Sequence, residues 1–256
     1  MRLSACYSVF NGCELLIKSI EQIYDEVDLI IICYQDISNV GNEIDNEDRL
    51  VLEEIKGYKD PKVILLPFTP DLKLNPKENE RAKLQIRIDY CKKEKISHYF
   101  GAAADHYFKP KEFAAAKKKA IELDVDITFT RMFTYYKDPT YRLDPIEDYV
   151  APFISKIYPD TIVIKGSANY KERVDPSVRI APAKTFYTFK EEEIMLHHFS
   201  MLREDIESKF RNAAAAQNWK EKIPGFIEEY NKAKPGDSIS YFKGRKIILV
   251  ENFFEF

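Results

Sequence analysis

Cysteine is sparse in this chain of 256 residues, and the four present, Cys6, Cys13, Cys33 and Cys91, keep no metal-ligand spacing. Cys6 and Cys33 fall inside apolar, strand-like runs, where a free thiol behaves as a small hydrophobe. No disulfide framework is implied, which points to a reducing compartment. No apolar run approaches the ~20 residues that cross a bilayer. The opening residues, MRLSACYS, run into a strand pattern without the charged and apolar regions of a secretory signal. The expectation is a cytoplasmic protein with no transmembrane segment. A basic surplus is also missing, since the formal net charge is −3, and this argues against a nucleic-acid partner. The lysine clusters at 92–93 and 117–119 share their stretches with apolar residues and read as solvated helix faces. Neither an internal repeat nor a low-complexity linker divides the chain.

What is present is 45% hydrophobic and 13% aromatic content, enough for one sizeable core. Strand patterns at 3–10, 28–34, 62–66, 97–104 and 126–133 alternate with helical patterns beginning near Leu16 and at 47–55, 78–95 and 111–123. Such alternation predicts a mainly parallel, doubly wound sheet. It weakens after about Phe133. The stretch 135–145, aromatic, polar and broken by proline, reads as a surface or site-lining loop. Short strands are expected at 161–165 and 185–189, helices at 201–216 and 219–230, and a last strand at 246–250.

The most informative stretch is SHYFGAAADHYF at 97–108, where an apolar run ends in one acid, Asp105, followed by aromatics. Ligands of open α/β sheets bind outside the carboxyl ends of the strands. A carboxylate there can hold a divalent cation, and a cation can hold a diphosphate. The exit of the first strand, SVFNG at 8–12, opens a helix; amides at a helix start favour anions, and Gly12 permits close approach. An ordinary strand-to-helix turn has the same signature. On the helix before Asp105, Lys83 and Arg87 stand four apart and share a face, with Gln85 between them; a solvated basic face accounts for Arg87 equally well. The stretch 135–153 sets Asp144, Glu147 and Asp148 beside several aromatics. Transfer to a hydroxyl calls for a base, so Glu147 and Asp148 are candidate catalytic groups beside an acceptor. The same acids also suit the first turn of a helix.

Taken in order, these features resemble GT-A-type, family-two-like bacterial glycosyltransferases over roughly the first 200 residues. The strand-end motif of that family is Asp-x-Asp; here Ala103, Ala104 and Asp105 keep the second acid and lack the first. The first-strand exit, with Phe10 and Asn11, resembles the family's donor-binding start, although Gly12 and Cys13 separate Asn11 from Glu14. The resemblance implies that Asp36 reads the nucleotide base with Tyr34 stacked on it, and that Lys83, with Gln85, faces the diphosphate. The segment HHFSMLR at 197–203 resembles the His-Tyr-x-x-Val-Arg stretch late in such enzymes, matching His198, Phe199 and Arg203. It implies a donor contact for Arg203 and a metal role for His198 beside Asp105. Imidazole with carboxylate suits Mn²⁺ or a similar ion. The absent first acid lowers the charge of any Mn²⁺ or Mg²⁺ site. His106 stands where relatives often carry Glu.

The expected fold is therefore α/β, a GT-A-like, Rossmann-type, mainly parallel sheet flanked by helices with a C-terminal helical elaboration. Residues 1–200 form the nucleotide-sugar-binding and catalytic domain, and 201–256 a helical extension packed on it. The implied activity moves a sugar from a nucleoside-diphosphate donor to a glycan or lipid-linked acceptor, with inversion, in surface polysaccharide or lipopolysaccharide synthesis. A divalent cation, Mn²⁺ or Mg²⁺, and peripheral membrane contact are compatible with that reading. Two rivals stand beside it. One is a nucleotidyltransferase, for which the turn at 10–13 is a poor version of the usual glycine-rich loop. The other is a non-catalytic nucleotide-sugar or glycan-binding protein, which would explain the missing acid.

Overall fold

The computed structural model describes residues 1–57, 59–164, 172–174, 180–213 and 219–256. Strands β1 (Leu3–Val9) and β2 (Leu29–Tyr34) are apolar almost throughout and buried on both faces, as parallel strands covered by helices must be. With β3 (Val63–Pro67) and β4 (His98–Ala103) they form a parallel set in the order β3-β2-β1-β4. Helices α1 (Leu16–Glu21), α2 (Asn46–Gly57) and α3 (Pro76–Lys93) make the connections. The start of α3 is fixed locally, because Asn75 and Glu78 form a reciprocal capping box around Pro76 at the first helical position. None of the described helices is long and apolar enough to cross a membrane.

After β4 come the short β5 (His106–Tyr107) and α4 (Pro110–Leu123). The ten-residue β6 (Ile127–Tyr136) follows, then β7 (Asp138–Asp144) and β8 (Ala151–Lys156). β8 runs antiparallel between β4 and β6. β6 is long enough to serve two neighbourhoods. Its first half pairs with β8 and β11 (Phe186–Thr188), its second with β7 and β12 (Met195–Met201). A small pair, β9 (Ile162–Val163) with β10 (Ile180–Ala181), stands apart. The core between sheet and α4 is aromatic: Phe100, Phe108, Phe113 and Phe153 meet at centroid distances of 5.1–5.6 Å. Such edge and tilted contacts add to the burial of each ring.

The mainly parallel α/β sheet is as expected, but the chain after Phe133 departs from the sequence reading. The expected loop at 135–145 is the end of β6 and all of β7, joined through Lys137 at φ 68°. Its tyrosines and threonine favour a pleated surface, Tyr136 and Leu143 are buried, and Pro139 sits at the strand's start, where a missing N–H is tolerated. The expected helix at 201–216 begins only at α5 (Ile206–Asn212), capped by Asp205, because Met195–Met201 is a strand buried between β5 and β6. The tail of that expected helix, 214–216, and Lys165 of an expected strand lie outside the described residues.

The segment after 200 contains helices, α5 and α6 (Ile223–Lys232), and also a hairpin of β13 (Ser238–Ile239) and β14 (Arg245–Leu249). β14 adds to the sheet edge against β7. Phe254 then packs on Tyr107 and Phe199, so the C-terminal residues join the main core.

Candidate active site

A crevice opens where the chain order reverses, since β2 lies on one side of β1 and β4 on the other. It holds a cleft of about 340 Å³ whose wall includes Phe10, Asn11, Gln35, Lys83 and Asp105. Arg203 and Lys209, from the C-terminal segment, close it.

Asp105 is buried, and its two oxygens face different partners. Oδ2 accepts a hydrogen bond from Arg203 at 2.7 Å and lies 3.8 Å from Lys209 Nζ. Oδ1 is 3.9 Å from Nε2 of His106 and 3.9 Å from Nε2 of His198. Burial alone would raise this carboxyl, but Arg203, His198, Lys209 and His106 outweigh it and hold it well below the usual carboxylate range. Lys209 is pulled down to about 8, by burial first and then by Arg203, against the attraction of Asp105 and Glu14.

Register explains the cluster. His198 on β12 is opposite His106 on β5 and opposite Thr134 on β6. Directly paired residues present their side chains on the same face of a sheet. Thr134 Oγ1 donates to Glu147 at 3.4 Å, so a polar row crosses three strands from His106 to Glu147. Glu147 is itself buried and 3.0 Å from Arg245. Burial raises its carboxyl, while Arg245 and Thr134 work against that rise.

The first-strand turn is organised by protein rather than left open for an anion. Asp48 of α2 accepts from the backbone N–H of Gly12 at 3.2 Å and of Cys13 at 2.6 Å. An internal carboxylate thus occupies the amides that the sequence suggested for a ligand. Gly12 sits at φ +77°, and a Cβ there would fall 1.7 Å from Arg203 Nη1. The close approach that Gly12 permits is that of Arg203, which donates to the Gly12 carbonyl at 3.2 Å.

The structure brings Phe10, Asn11, Lys83, Asp105, His198 and Arg203 to this crevice. Lys83 is buried 2.9 Å from Glu80, whose carboxylate also accepts from Asn39. Tyr34 and Asp36 do not line it. Tyr34 lies beneath Lys56 at 4.7 Å and Asp36 is exposed, whereas Gln35 between them faces the cleft, as alternation along an extended chain requires. Gln85 turns to the small strand pair, accepting from the Val163 N–H at 2.8 Å. Glu147 and Asp148 line a neighbouring cavity, Asp148 exposed and ion-paired with Arg173. Sequence reasoning missed Gln35 and Lys209. Lys209 is one more lysine on a short helix, and only the fold directs it to Asp105.

Asp105, His106 and His198 each offer a ligand atom within 4.8 Å of the others. Two imidazoles and a carboxylate suit Mn²⁺ or another borderline ion better than Mg²⁺, which prefers oxygen.

No family model matches this chain, and no curated protein does. Solved structures similar to it include residues 1–349 of S. aureus TarS, at 12% identity and TM-score 0.46, covering 87% of this chain and 69% of that one. The same TarS fragment in complex with UDP matches at 12% identity and TM-score 0.43, over 91% and 73%. The mannose-1-phosphate geranyltransferase of Thermus thermophilus matches at 12% identity and TM-score 0.34, over 62% and 51%. A longer TarS chain is matched over 44% of its length. The fold is a Rossmann-type α/β sheet, as its strand order and the crevice at the reversal show.

Two substitutions probe this geometry. Gly12→Ala should cost about 1–3 kcal/mol from the positive φ alone, and more because its Cβ would dislodge Arg203 from Asp105; urea denaturation showing an unchanged midpoint would contradict it. Lys209→Met should raise stability at neutral pH, because a desolvated charge is removed. Between about 8 and the ordinary 10.5, the unfolded chain keeps a proton that the native Lys209 has shed, so native stability rises with pH across that window. Denaturation at pH values spanning the window should show this rise in the parent and not in the variant.

Proposed function

We propose that this chain is a glycosyltransferase that moves a sugar from a nucleoside-diphosphate donor to a glycan or lipid-linked acceptor. The observation that carries the reading is Asp105, set at the carboxyl end of β4 beside the reversal point, with one oxygen on cations and the other facing two imidazoles. Lys83, Arg203 and Lys209 would hold the diphosphate, Arg203 by its planar fork and the lysines as point charges. Phe10 and Asn11 would line the nucleoside side, with Gln35 taking the place that Asp36 was expected to fill. Asp105, His106 and His198 would hold a cation such as Mn²⁺, which when bound would supply further positive charge to the leaving diphosphate.

In the transfer proposed, the acceptor oxygen forms a bond to the anomeric carbon as the bond from that carbon to the diphosphate breaks, and the configuration inverts. The acceptor proton passes to Glu147. That residue is favoured over Asp148 because its carboxyl is buried and raised, hence more basic, and because Thr134 links it to the His198 row. Asp148 is exposed and held by Arg173. A nucleotidyltransferase is disfavoured, since Asp48 fills the amides of the turn that would have to cradle phosphates. Surface polysaccharide or lipopolysaccharide synthesis in the cytoplasm, with peripheral membrane contact, is the setting that accords with this reading.

A thermal-shift series with UDP, GDP, CDP and dTDP sugars tests it. One donor should stabilise the protein by ~2.7 kcal/mol at a hundredfold excess over its dissociation constant. Asp105→Asn should abolish transfer in a chain that still folds but is destabilised, since breaking a buried pair costs about 3–5 kcal/mol. If no nucleotide moves the melting temperature, or the variant turns over normally, the reading fails; donor binding without transfer or hydrolysis would favour the non-catalytic rival. Calorimetry with nucleotide present should detect Mn²⁺ binding, weakened in both His106→Ala and His198→Ala. Equal affinity in all three proteins would remove the histidines from the site.

A further inference from the structure

Beside the cleft lies a second cavity of about 630 Å³, between the chain that follows β7 and the C-terminal segment. Its wall is aromatic, with Tyr149, Trp219, Phe226, Tyr241 and Phe242. Trp219 and Phe226 meet Tyr241 at centroid distances of 5.4 and 4.9 Å, so these rings are braced against one another before any ligand arrives. Preformed pockets with many apolar rings and a few placed polar groups are the usual form of small-ligand sites. Flat rings with a negative face also suit the polarised C–H faces of a pyranose.

The charge of the cavity narrows the ligand. Its two acids are already matched, Glu147 by Arg245 at 3.0 Å and Asp148 by Arg173. Lys222 and Lys243 also line it, both exposed, and neither enters an ion pair among the described residues. Against two acids the wall therefore sets four cations, Arg173, Arg245, Lys222 and Lys243, the last also attracting Glu147.

We infer that this cavity binds an acidic saccharide, one bearing carboxylate, sulfate or phosphate, with its rings on the aromatic wall and its anionic groups on Lys222 and Lys243. The inference rests on the transferase reading only in making that saccharide the acceptor, because Glu147 belongs both to this wall and to the polar row that reaches His198.

The chain has a single tryptophan, Trp219, and it stands in this wall, so its fluorescence reports on the site directly. Titration with tetragalacturonate, a sulfated tetrasaccharide and a phosphorylated oligosaccharide should give a saturable change in emission with at least one of them. Neutral maltotetraose should give a markedly weaker response. Lys222→Ala with Lys243→Ala should weaken the acidic ligand about tenfold, or 1.4 kcal/mol, and leave any neutral response alone. Equal responses to acidic and neutral sugars, or an unchanged affinity in the double variant, would overturn the charge assignment. No response to any saccharide would overturn the site. Thermal shift with the nucleotide sugars on the same samples separates the two readings. Donor binding without a saccharide response defeats this inference alone, whereas a saccharide response without donor binding defeats the transferase reading and leaves the site standing.

Discussion

The buried pair of Asp105 and Arg203 holds the candidate site together. Arg203 reaches Asp105 at 2.7 Å, the Gly12 carbonyl at 3.2 Å and Glu14 at 3.7 Å, joining the end of β4, the turn after β1 and the chain that follows β12. Desolvating two charges is repaid only when geometry is good and other polar atoms are satisfied, and removing one partner typically costs about 3–5 kcal/mol. The turn must therefore be shaped to the guanidinium. Gly12 supplies the space and the positive φ, and Asp48 pins the turn from the opposite side through two N–H groups. Four separate parts of the chain converge on this one charge.

The same pair sets the electrostatics of the cleft. Three cations, Lys83, Arg203 and Lys209, face Glu80 and Asp105 across the cleft, and Glu14 also attracts Arg203 and Lys209. Where the resemblance leads one to expect a further acid, the chain has Ala103, which lines the cleft with no charge. Lys209 bears the strain of this arrangement, its ammonium made less favourable by burial and by Arg203. Desolvated charges of this kind are costly to stability and cluster at functional sites.

Legibility followed physical locality. The first four strands, α3 and α4 could be read because continuous apolar runs, a capping box and prolines at helix starts are signals carried by neighbouring residues. Asp105 could be read for the same reason, as an acid at the end of such a run. By contrast, β7 was hidden by Pro139 and by aromatic residues that suit loop and strand alike. His106, Thr134 and Glu147 are linked by register across β5, β12 and β6, and no local pattern encodes a pairing between strands so distant in sequence. Asp48, in the first turn of α2, closes the turn after β1 with its carboxylate, a contact that its own neighbours in sequence do not encode. The departures thus fall where long-range contacts, not propensity, decide where a side chain points.

The C-terminal segment supplies both cavities, and this constrains how they relate. After β12 the chain gives Arg203 and Lys209 to the cleft; further on it gives Trp219, Phe226 and Tyr241 to the aromatic wall, and Arg245 to Glu147. The two contributions are not independent bodies. Phe210, on the helix that carries Lys209, packs on Phe226 at 5.7 Å and on Tyr241 at 5.3 Å. Displacing the aromatic wall must therefore strain α5, and through it the lysine beside Asp105. The polar row from His106 to Glu147 joins the same two cavities through the sheet, a layer that cannot slip by one residue without turning His198 and Thr134 to the opposite face. A packed helix on one side and strand register on the other thus join the walls of the two cavities.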